Sequence, residues 1–433
     1  MNSPLKRFPP KVSGPEALRD YQLKGLQWTV ERVYSNCTFY RNKMEAAGVY
    51  PEDIQSLDDI ERLPFIDADD LRNDYPFPLR TADFSEIVRI HSSSGTTGKR
   101  KILCYTQKDI DDWAYMFGRC YEMAGITLED RVQICVGYGL WTAGVGFQNG
   151  CEKFGALAIP VGPGNMEMQC DFLIDMQSTV VCSTASMALL LAEEVHRRKI
   201  RDKIKLKKVI LGAERASDGM IRTIKELLGI DEVYDIPGLT ELYGPGTGLN
   251  CRYGSGIHYW ADFYILEILN PETLKPVAPG EIGEMVYTTL GKEGSPLIRY
   301  RSRDLTRLLA DECACGCGLP RHDRILGRSD DMCILRGVNV YPGQIDEILS
   351  AVSGAGSEYQ LYIERRGDGK DYMTLRVERT ANMHESGDKA LAESIAKKLK
   401  SRLMVSCSVD IAPHGSLPRS EKKTKRVFDS RAY

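Results

Sequence analysis

An α/β fold in two parts, a large first region followed by a small α+β region, is what the sequence predicts, and three observations predict it. Between residues 88 and 285, short apolar runs at 132–136, 156–160, 179–182 and 208–211 alternate with helical stretches at 186–198 and 220–228. That is the rhythm of βαβ units, a parallel sheet covered by helices. Beyond about Gly327, residues 344–352 and 388–404 read as helices and 358–364 and 372–378 as strands, a domain of about 100 residues within the usual size range. The full length of 433 residues exceeds one ordinary core.

The elements follow in order. From Pro15 to about Asp74 the pattern is mainly helical: Leu23, Leu26, Val30 and Val33 recur at three- and four-residue steps, and 56–62 reads as a short capped helix. The sheet-and-helix region comes next. Residues 281–289 and 298–309 then predict strands of a smaller β-rich region, closed by the Cys/Gly-rich run 313–318. No internal repeat or low-complexity segment interrupts the chain.

Composition narrows the function. Hydrophobic residues make up 42% and charged residues 27%, close to globular averages, so disorder and fibrous repeats are disfavoured. Net charge is −3, with 57 basic and 60 acidic residues spread along the chain, which offers no basic field for nucleic acid or anionic lipid. The first ten residues are polar, and the most apolar stretch, 132–147, is broken by glycines and Gln133. Neither a signal peptide nor a membrane span is expected. Thirteen scattered cysteines fit reduced thiols and a metal site better than a disulfide framework, which points to the cytoplasm.

The strongest local signal is His91-Ser92-Ser93-Ser94-Gly95-Thr96-Thr97-Gly98-Lys99, placed after an apolar, strand-like run. Glycines allow tight turns and close approach, and hydroxyls with backbone amides can surround phosphate oxygens. It is not the Walker loop, which needs four residues between its glycines where Gly95 and Gly98 have two. Alone, such a cluster is more readily an ordinary polar turn.

Together with Gly238-Leu239-Thr240-Glu241, Tyr300-Arg301-Ser302-Arg303-Asp304 and Gly327-Arg328-Ser329-Asp330-Asp331, that loop resembles the ordered motifs of the adenylate-forming superfamily. Pro296-Leu-Ile-Arg-Tyr-Arg-Ser-Arg-Asp304, Arg336-Gly-Val-Asn-Val-Tyr-Pro342 and Leu417-Pro-Arg-Ser-Glu421 resemble its phenylacetate–coenzyme A ligase branch. The likeness runs from about Tyr21 to Asp429. It implies the adenylate-forming ligase fold: a large ATP- and acid-binding domain over 1–328, with parallel sheets and a β-rich subdomain, and a mobile C-terminal α+β domain over 329–433.

The resemblance also implies roles. Ser92, Ser93, Ser94, Gly95, Thr96, Thr97 and Gly98 would surround the phosphates of ATP, with Thr240 beside them, and Glu241 would hold Mg²⁺, a hard oxygen on a hard cation. Asp304 would accept hydrogen bonds from the ribose, and Arg328 would lie near ribose and phosphate as a planar, permanent cation. Gly212, Ala213 and Glu214, with Asp235, Ile236 and Pro237, fall where the family builds its adenine pocket; Pro237 stands where a tyrosine is common. Lys423 is the expected catalytic lysine, bridging carboxylate and α-phosphate. Lys422 is the alternative, because Glu421-Lys422-Lys423-Thr424 departs from the family's Glu-Gly-Lys-Ala. Asp330 would be the hinge, and Gly337 would let the pantetheine arm of coenzyme A pass close to the backbone.

Tyr138 and Trp141, within Gly137-Tyr-Gly-Leu-Trp-Thr-Ala-Gly144, resemble the segment lining the aryl pocket, and Gly212 is also expected to bind substrate. The bland alternative is aromatic packing at a helix start. Cys251 and His258, then Cys313 and Cys315 about sixty residues later, form a Cys₃His set suited to structural zinc. The family's register favours Cys313 and Cys315, with Cys317 as substitute. The expected reaction is ATP-dependent joining of an aryl or arylacetic acid to coenzyme A. The alternatives are an adenylation enzyme that loads a carrier protein and a non-catalytic, zinc-stabilised binding protein. A homodimer is expected from the family; nucleic acid and membrane are not.

Overall fold

A computed structural model describes residues 4–73, 75–93, 99–254, 256–330, 333–335, 338–366, 371–403, 405–418 and 426–431. The chain condenses into two units. The first comprises Met1–Ser183, Lys203–Ala213 and Glu232–Ile325; the second comprises Thr184–Asp202, Glu214–Asp231 and Leu326–Tyr433.

The first unit opens on the expected helices, Pro15–Asn36 and Thr38–Ala47. Proline suits the first turn, where its missing N–H has no intrahelical partner. Leu26, Val30 and Val33 bury the predicted stripe, while Leu23 stays half-exposed. Leu57–Arg62 is a 3₁₀ helix, and the Asp59 carboxylate accepts the Ser56 N–H at 2.7 Å.

A hairpin follows, β1 (Ile87–Ser92) against β2 (Ile102–Thr106), with Ser92 opposite Ile102. The glycine-rich loop is therefore the hairpin's own connection. Then come the strands of a five-stranded sheet: β3 (Arg131–Ile134), β4 (Leu157–Ile159), β5 (Val180–Thr184), β6 (Lys208–Gly212) and β7 (Glu232–Ile236), in the order β4-β3-β5-β6-β7. The pairs β3–β4, β3–β5 and β6–β7 are parallel. Every residue of β5 is buried, which explains its unbroken apolar run. The β-rich region contributes the antiparallel strands Tyr264–Leu269, Gly283–Thr289 and Tyr300–Thr306.

Helix Ala143–Phe154 packs on helix Gln107–Met123 through glycine notches. A Cβ on Gly146 would stand 2.5 Å from the Trp113 ring, and one on Gly150 would stand 2.2 Å from Phe117 Cβ. Trp113, Phe117, Tyr121 and Phe147 fill the space between and are buried. This explains why the longest apolar stretch of the chain is studded with glycine.

In the second unit, strands Ala355–Arg365 and Asp371–Arg379 form the expected antiparallel pair. Two edge strands flank it in parallel: Ser408–Ala412 on the second and Val427–Asp429 on the first. They carry too little periodicity to be read from sequence. Helices Pro342–Ser350 and Asp388–Leu403 cover the sheet, with Ile345, Leu349, Leu361, Leu375, Ile395 and Leu399 in a core of the unit's own.

Gly150→Ala tests the helix notch. The added methyl meets the rigid base of Phe117, so a loss of about 1–3 kcal/mol, the usual cost of overpacking, is expected in urea unfolding.

Candidate active site

The site grows from the β1–β2 hairpin. Ser93 N–H donates to the Lys101 carbonyl at 3.2 Å, closing the base of the glycine-rich loop, and Ser93 Oγ is buried with no hydrogen-bond partner among the described residues. An unpartnered buried hydroxyl is costly unless something else accepts it, and it fits the phosphate role given to this loop. Ser92 N–H donates to the Leu140 carbonyl at 2.8 Å, and His91 Nδ1 lies 3.2 Å from the same oxygen. The hairpin thus carries the 137–144 segment as well. His91 is held neutral, its pKa lowered by burial to about 4, and Tyr105 and Trp113 meet its ring edge-on at 5.3 and 5.7 Å.

Glu241 is buried, with 2% exposure. Its turn is shaped by Gly238, where a Cβ would stand 2.2 Å from Pro245 Cα, so the strand pair Gly238–Leu239 and Gly244–Pro245 closes only on glycine. Tyr105 on β2 places its hydroxyl 3.2 Å from the Thr240 carbonyl and 3.0 Å from that of Tyr243; Thr240 Oγ1 is 3.4 Å from Thr142 Oγ1. Burial alone would push the Glu241 carboxyl up. The Lys101 charge and a hydrogen bond from Tyr300 outweigh it and hold the group below its ordinary range, as a carboxylate.

Two lysines missing from the sequence reading make this possible. Lys101 forms an ion pair with Glu241 Oε1. Lys292 is fully buried and donates to the carbonyls of Glu241 at 3.0 Å and Leu242 at 2.5 Å, between the rings of Tyr105 and Tyr243, each 4.9 Å away. Burial lowers the Lys292 pKa to about 8, with Asp109 and Glu241 opposing. Neither lysine sits in a readable local pattern; each is far along the chain from the turn it supports. The donor set fits a hard cation: an ionised, buried carboxylate whose Oε1 is charge-paired but receives no directed hydrogen bond.

The other predicted residues are distributed as follows. Asp304 lies on the strand Tyr300–Thr306, the strand whose Tyr300 reaches Glu241. Gly212 and Ile236 end β6 and β7 side by side, a Cβ on Gly212 standing 2.9 Å from Ile236 Cγ2, and Ala213 continues with a left-handed φ of 69°. Asp235 N–H donates to Asn250 Oδ1 at 2.6 Å, and the Pro237 carbonyl accepts from Gly246 at 3.1 Å. In the second unit, Glu214 Oε1 accepts the Ser186 N–H at 2.5 Å, and Arg328 is bidentate on Asp330 at 2.8 and 2.7 Å. Ser94, Gly95, Thr96, Thr97, Gly98, Gly337, Lys422 and Lys423 lie outside the described residues. On the near side of the lysines, buried Glu378 accepts the N–H groups of Gly415 and Leu417 at 3.0 and 2.7 Å; on the far side, Arg426 holds Asp346 at 3.0 Å.

At the acid-pocket segment, the glycines make room for the chain's own rings rather than leaving it vacant. A Cβ on Gly144 would stand 2.6 Å from the Tyr138 ring, and one on Gly137 would stand 3.0 Å from Trp141. Tyr138 and Trp141 are both half-buried, and the Tyr138 hydroxyl has no hydrogen-bond partner among the described residues.

The cysteine cluster rests on a separate sheet. Strands Gly248–Asn250 and Ile257–Tyr259 pair with Leu249 opposite His258, and the strands Leu308–Leu309 and Arg321–His322 bracket the Cys313–Cys317 run. One ligand atom from each of Cys251, His258, Cys313 and Cys315 falls within 4.8 Å of the others. Cys251 and Cys313 sulfurs are 3.5 Å apart, and Cys315 Sγ is 3.4 Å from His258 Nε2. Tetrahedral zinc with its usual bond lengths requires about 3.8 and 3.6 Å. His258 Nδ1 lies 3.1 Å from the Leu319 carbonyl, the contact that fixes the tautomer with Nε2 bare for a metal. Cys317 sits nearer Nδ1, at 3.0 Å, than Nε2, at 3.9 Å.

Comparison with known proteins gives the class. Models of the AMP-binding enzyme family and of its C-terminal domain match residues 30–291 and 337–431. The phenylacetate-coenzyme A ligase of Escherichia coli (strain K12) is 40% identical, with 98% of each chain covered, and that of Thermus thermophilus is 37% identical, covering 96% of this chain and 97% of the relative. A crystal structure of 2-hydroxyisobutyryl-CoA ligase with R3-HIB-AMP matches with a TM-score of 0.90 at 28% identity, covering 100% of this chain and 94% of that one. The chain therefore belongs to the phenylacetate–coenzyme A ligase family of the AMP-binding enzymes, and it is an acid–thiol ligase with the adenylate-forming fold.

Lys292→Met leaves two buried carbonyls without a donor, each worth about 1–3 kcal/mol. A drop in stability of at least about 2 kcal/mol is expected in denaturant unfolding, together with loss of nucleotide binding in calorimetry.

Proposed function

We propose that the protein activates an arylacetic acid as its adenylate and passes the acyl group to coenzyme A. The observation that carries this reading is Glu241, a buried, ionised carboxylate paired with Lys101 of the β1–β2 hairpin. Mg²⁺ bound there supplies charge neutralisation for the phosphates. The substrate carboxylate oxygen attacks the α-phosphorus of ATP, the bond to pyrophosphate breaks, and pyrophosphate leaves. Ser93 and its loop neighbours hold the phosphates, Asp304 the ribose, and Lys423 the charge between carboxylate and α-phosphate. The coenzyme A thiol, having lost its proton, then attacks the acyl carbon and AMP departs.

An aryl acid is favoured by the half-buried rings of Tyr138 and Trp141, apolar partners for another ring, and by relatives named for phenylacetate. The structural relative acts on a branched hydroxy acid, so the panel that tests the reading includes both. With ATP, Mg²⁺ and coenzyme A, phenylacetate is expected to yield AMP and the thioester by mass spectrometry, with 2-hydroxyisobutyrate at least about 10-fold poorer. Lys423→Ala is expected to lower adenylation by at least about 100-fold, a typical loss for one electrostatic contact. Adenylate without thioester would replace this reading with carrier-protein loading.

Cys251, His258, Cys313 and Cys315 are proposed to hold a structural zinc, since four protein ligands leave no open position for chemistry. Metal analysis of the purified protein is expected to find about one zinc per chain. Cys313→Ser is expected to lose it and to lower the melting temperature while sparing the Michaelis constant for ATP in the folded fraction.

A further inference from the structure

Lys101 has no role in the reading above, yet it occupies the most consequential position beside Glu241. Its ammonium lies against Oε1, and the pair is 14% and 2% exposed. A carboxylate so buried cannot stay ionised without a partner. Lys292 acts on Glu241 through its charge but does not meet the carboxylate head, because its Nζ donates to the carbonyls of Glu241 and Leu242 and lies between two rings. Tyr300 offers a neutral hydroxyl only. Among the described residues, Lys101 is the cation that meets the carboxylate head and is not otherwise fixed. Its backbone is tied, through the Ser93 N–H on its carbonyl, at the base of the glycine-rich loop. Its side chain is a compact charge on a flexible four-carbon stem.

We propose that Lys101 is the resident counter-cation of Glu241, holding the metal-facing side of the carboxylate in the nucleotide-free enzyme and yielding it when Mg²⁺ arrives with ATP. The inference rests on Glu241 being the magnesium ligand. Two cations on one carboxylate oxygen repel each other, most strongly where water is excluded. Metal entry therefore drives the ammonium off, and its stem keeps it tethered to the backbone that Ser93 anchors. Lys101 is a positioning residue: it keeps the metal site charged, open in shape and occupied by something that can leave.

The test is Mn²⁺ binding, read by electron paramagnetic resonance of the free ion, with saturating α,β-methylene-ATP. Lys101→Met removes the competitor and is expected to tighten Mn²⁺ binding roughly tenfold. Lys101→Arg keeps the charge but grips a carboxylate through two parallel hydrogen bonds, so it is expected to weaken binding severalfold; it also keeps the buried pair intact should the methionine variant fail to fold. Unchanged or tighter binding in Lys101→Arg, or unchanged or weaker binding in folded Lys101→Met, overturns the proposal. Glu241→Gln separates the two levels of argument. If it leaves Mn²⁺ binding unaltered, the assignment of Glu241 itself falls and takes this inference with it; if it weakens binding while the Lys101 variants do not respond as stated, the counter-cation alone is wrong.

Discussion

A buried, ionised carboxylate is the constraint around which the first unit is arranged. Keeping Glu241 charged at 2% exposure demands a cation within reach, a hydroxyl, and a backbone turn that cannot drift. The β1–β2 hairpin supplies the cation and the anchoring tyrosine, and the strand Tyr300–Thr306 supplies the hydroxyl. Lys292 clamps the turn from below through its carbonyls. The turn that carries Glu241 is thereby held by strands on either side of it.

Lys292 shows what such rigidity costs. An ammonium with no exposure is held well below its ordinary pKa, and Asp109, itself buried and accepting the N–H groups of Glu293 and Gly294, sits close enough to offset part of that penalty. The same aspartate caps the helix Gln107–Met123 by accepting the Thr106 N–H. One carboxylate therefore joins the helix start, the 289–295 turn and the lysine beneath Glu241. Removing either of the two charges, Asp109 or Lys292, leaves the other buried with less compensation.

The cysteine cluster sits on a sheet of its own. Cys251 and His258 belong to the hairpin whose Asn250 fixes the Asp235 amide at the end of β7. A metal there would stiffen the corner proposed for adenine without touching the reacting atoms, consistent with a set of four protein ligands. The second unit has its own core and its own anchors on either side of the candidate lysines, Glu378 before and Arg426 after.

Much of this was legible in the chain. The βαβ rhythm foretold β3 to β7 because parallel strands buried on both faces read as unbroken apolar runs. The paired spacing of Cys251 and His258 with Cys313 and Cys315 foretold a cluster whose ligand atoms do meet in space; the roles given to Glu241 and Asp304 come from their place in ordered local motifs. Edge strands Ser408–Ala412 and Val427–Asp429 were not legible, since half-exposed short strands have too few buried positions to leave a period. Nor were Lys101 and Lys292, or the filling of the glycine notches by Tyr138 and Trp141. Those depend on which side chains meet across long stretches of sequence, and only the folded chain brings a cation to a carboxylate. The sequence by itself determined the family, the order of elements and the chemistry on offer; tertiary structure decided how the charge at Glu241 is kept, because burial and its compensation are properties of neighbours in space.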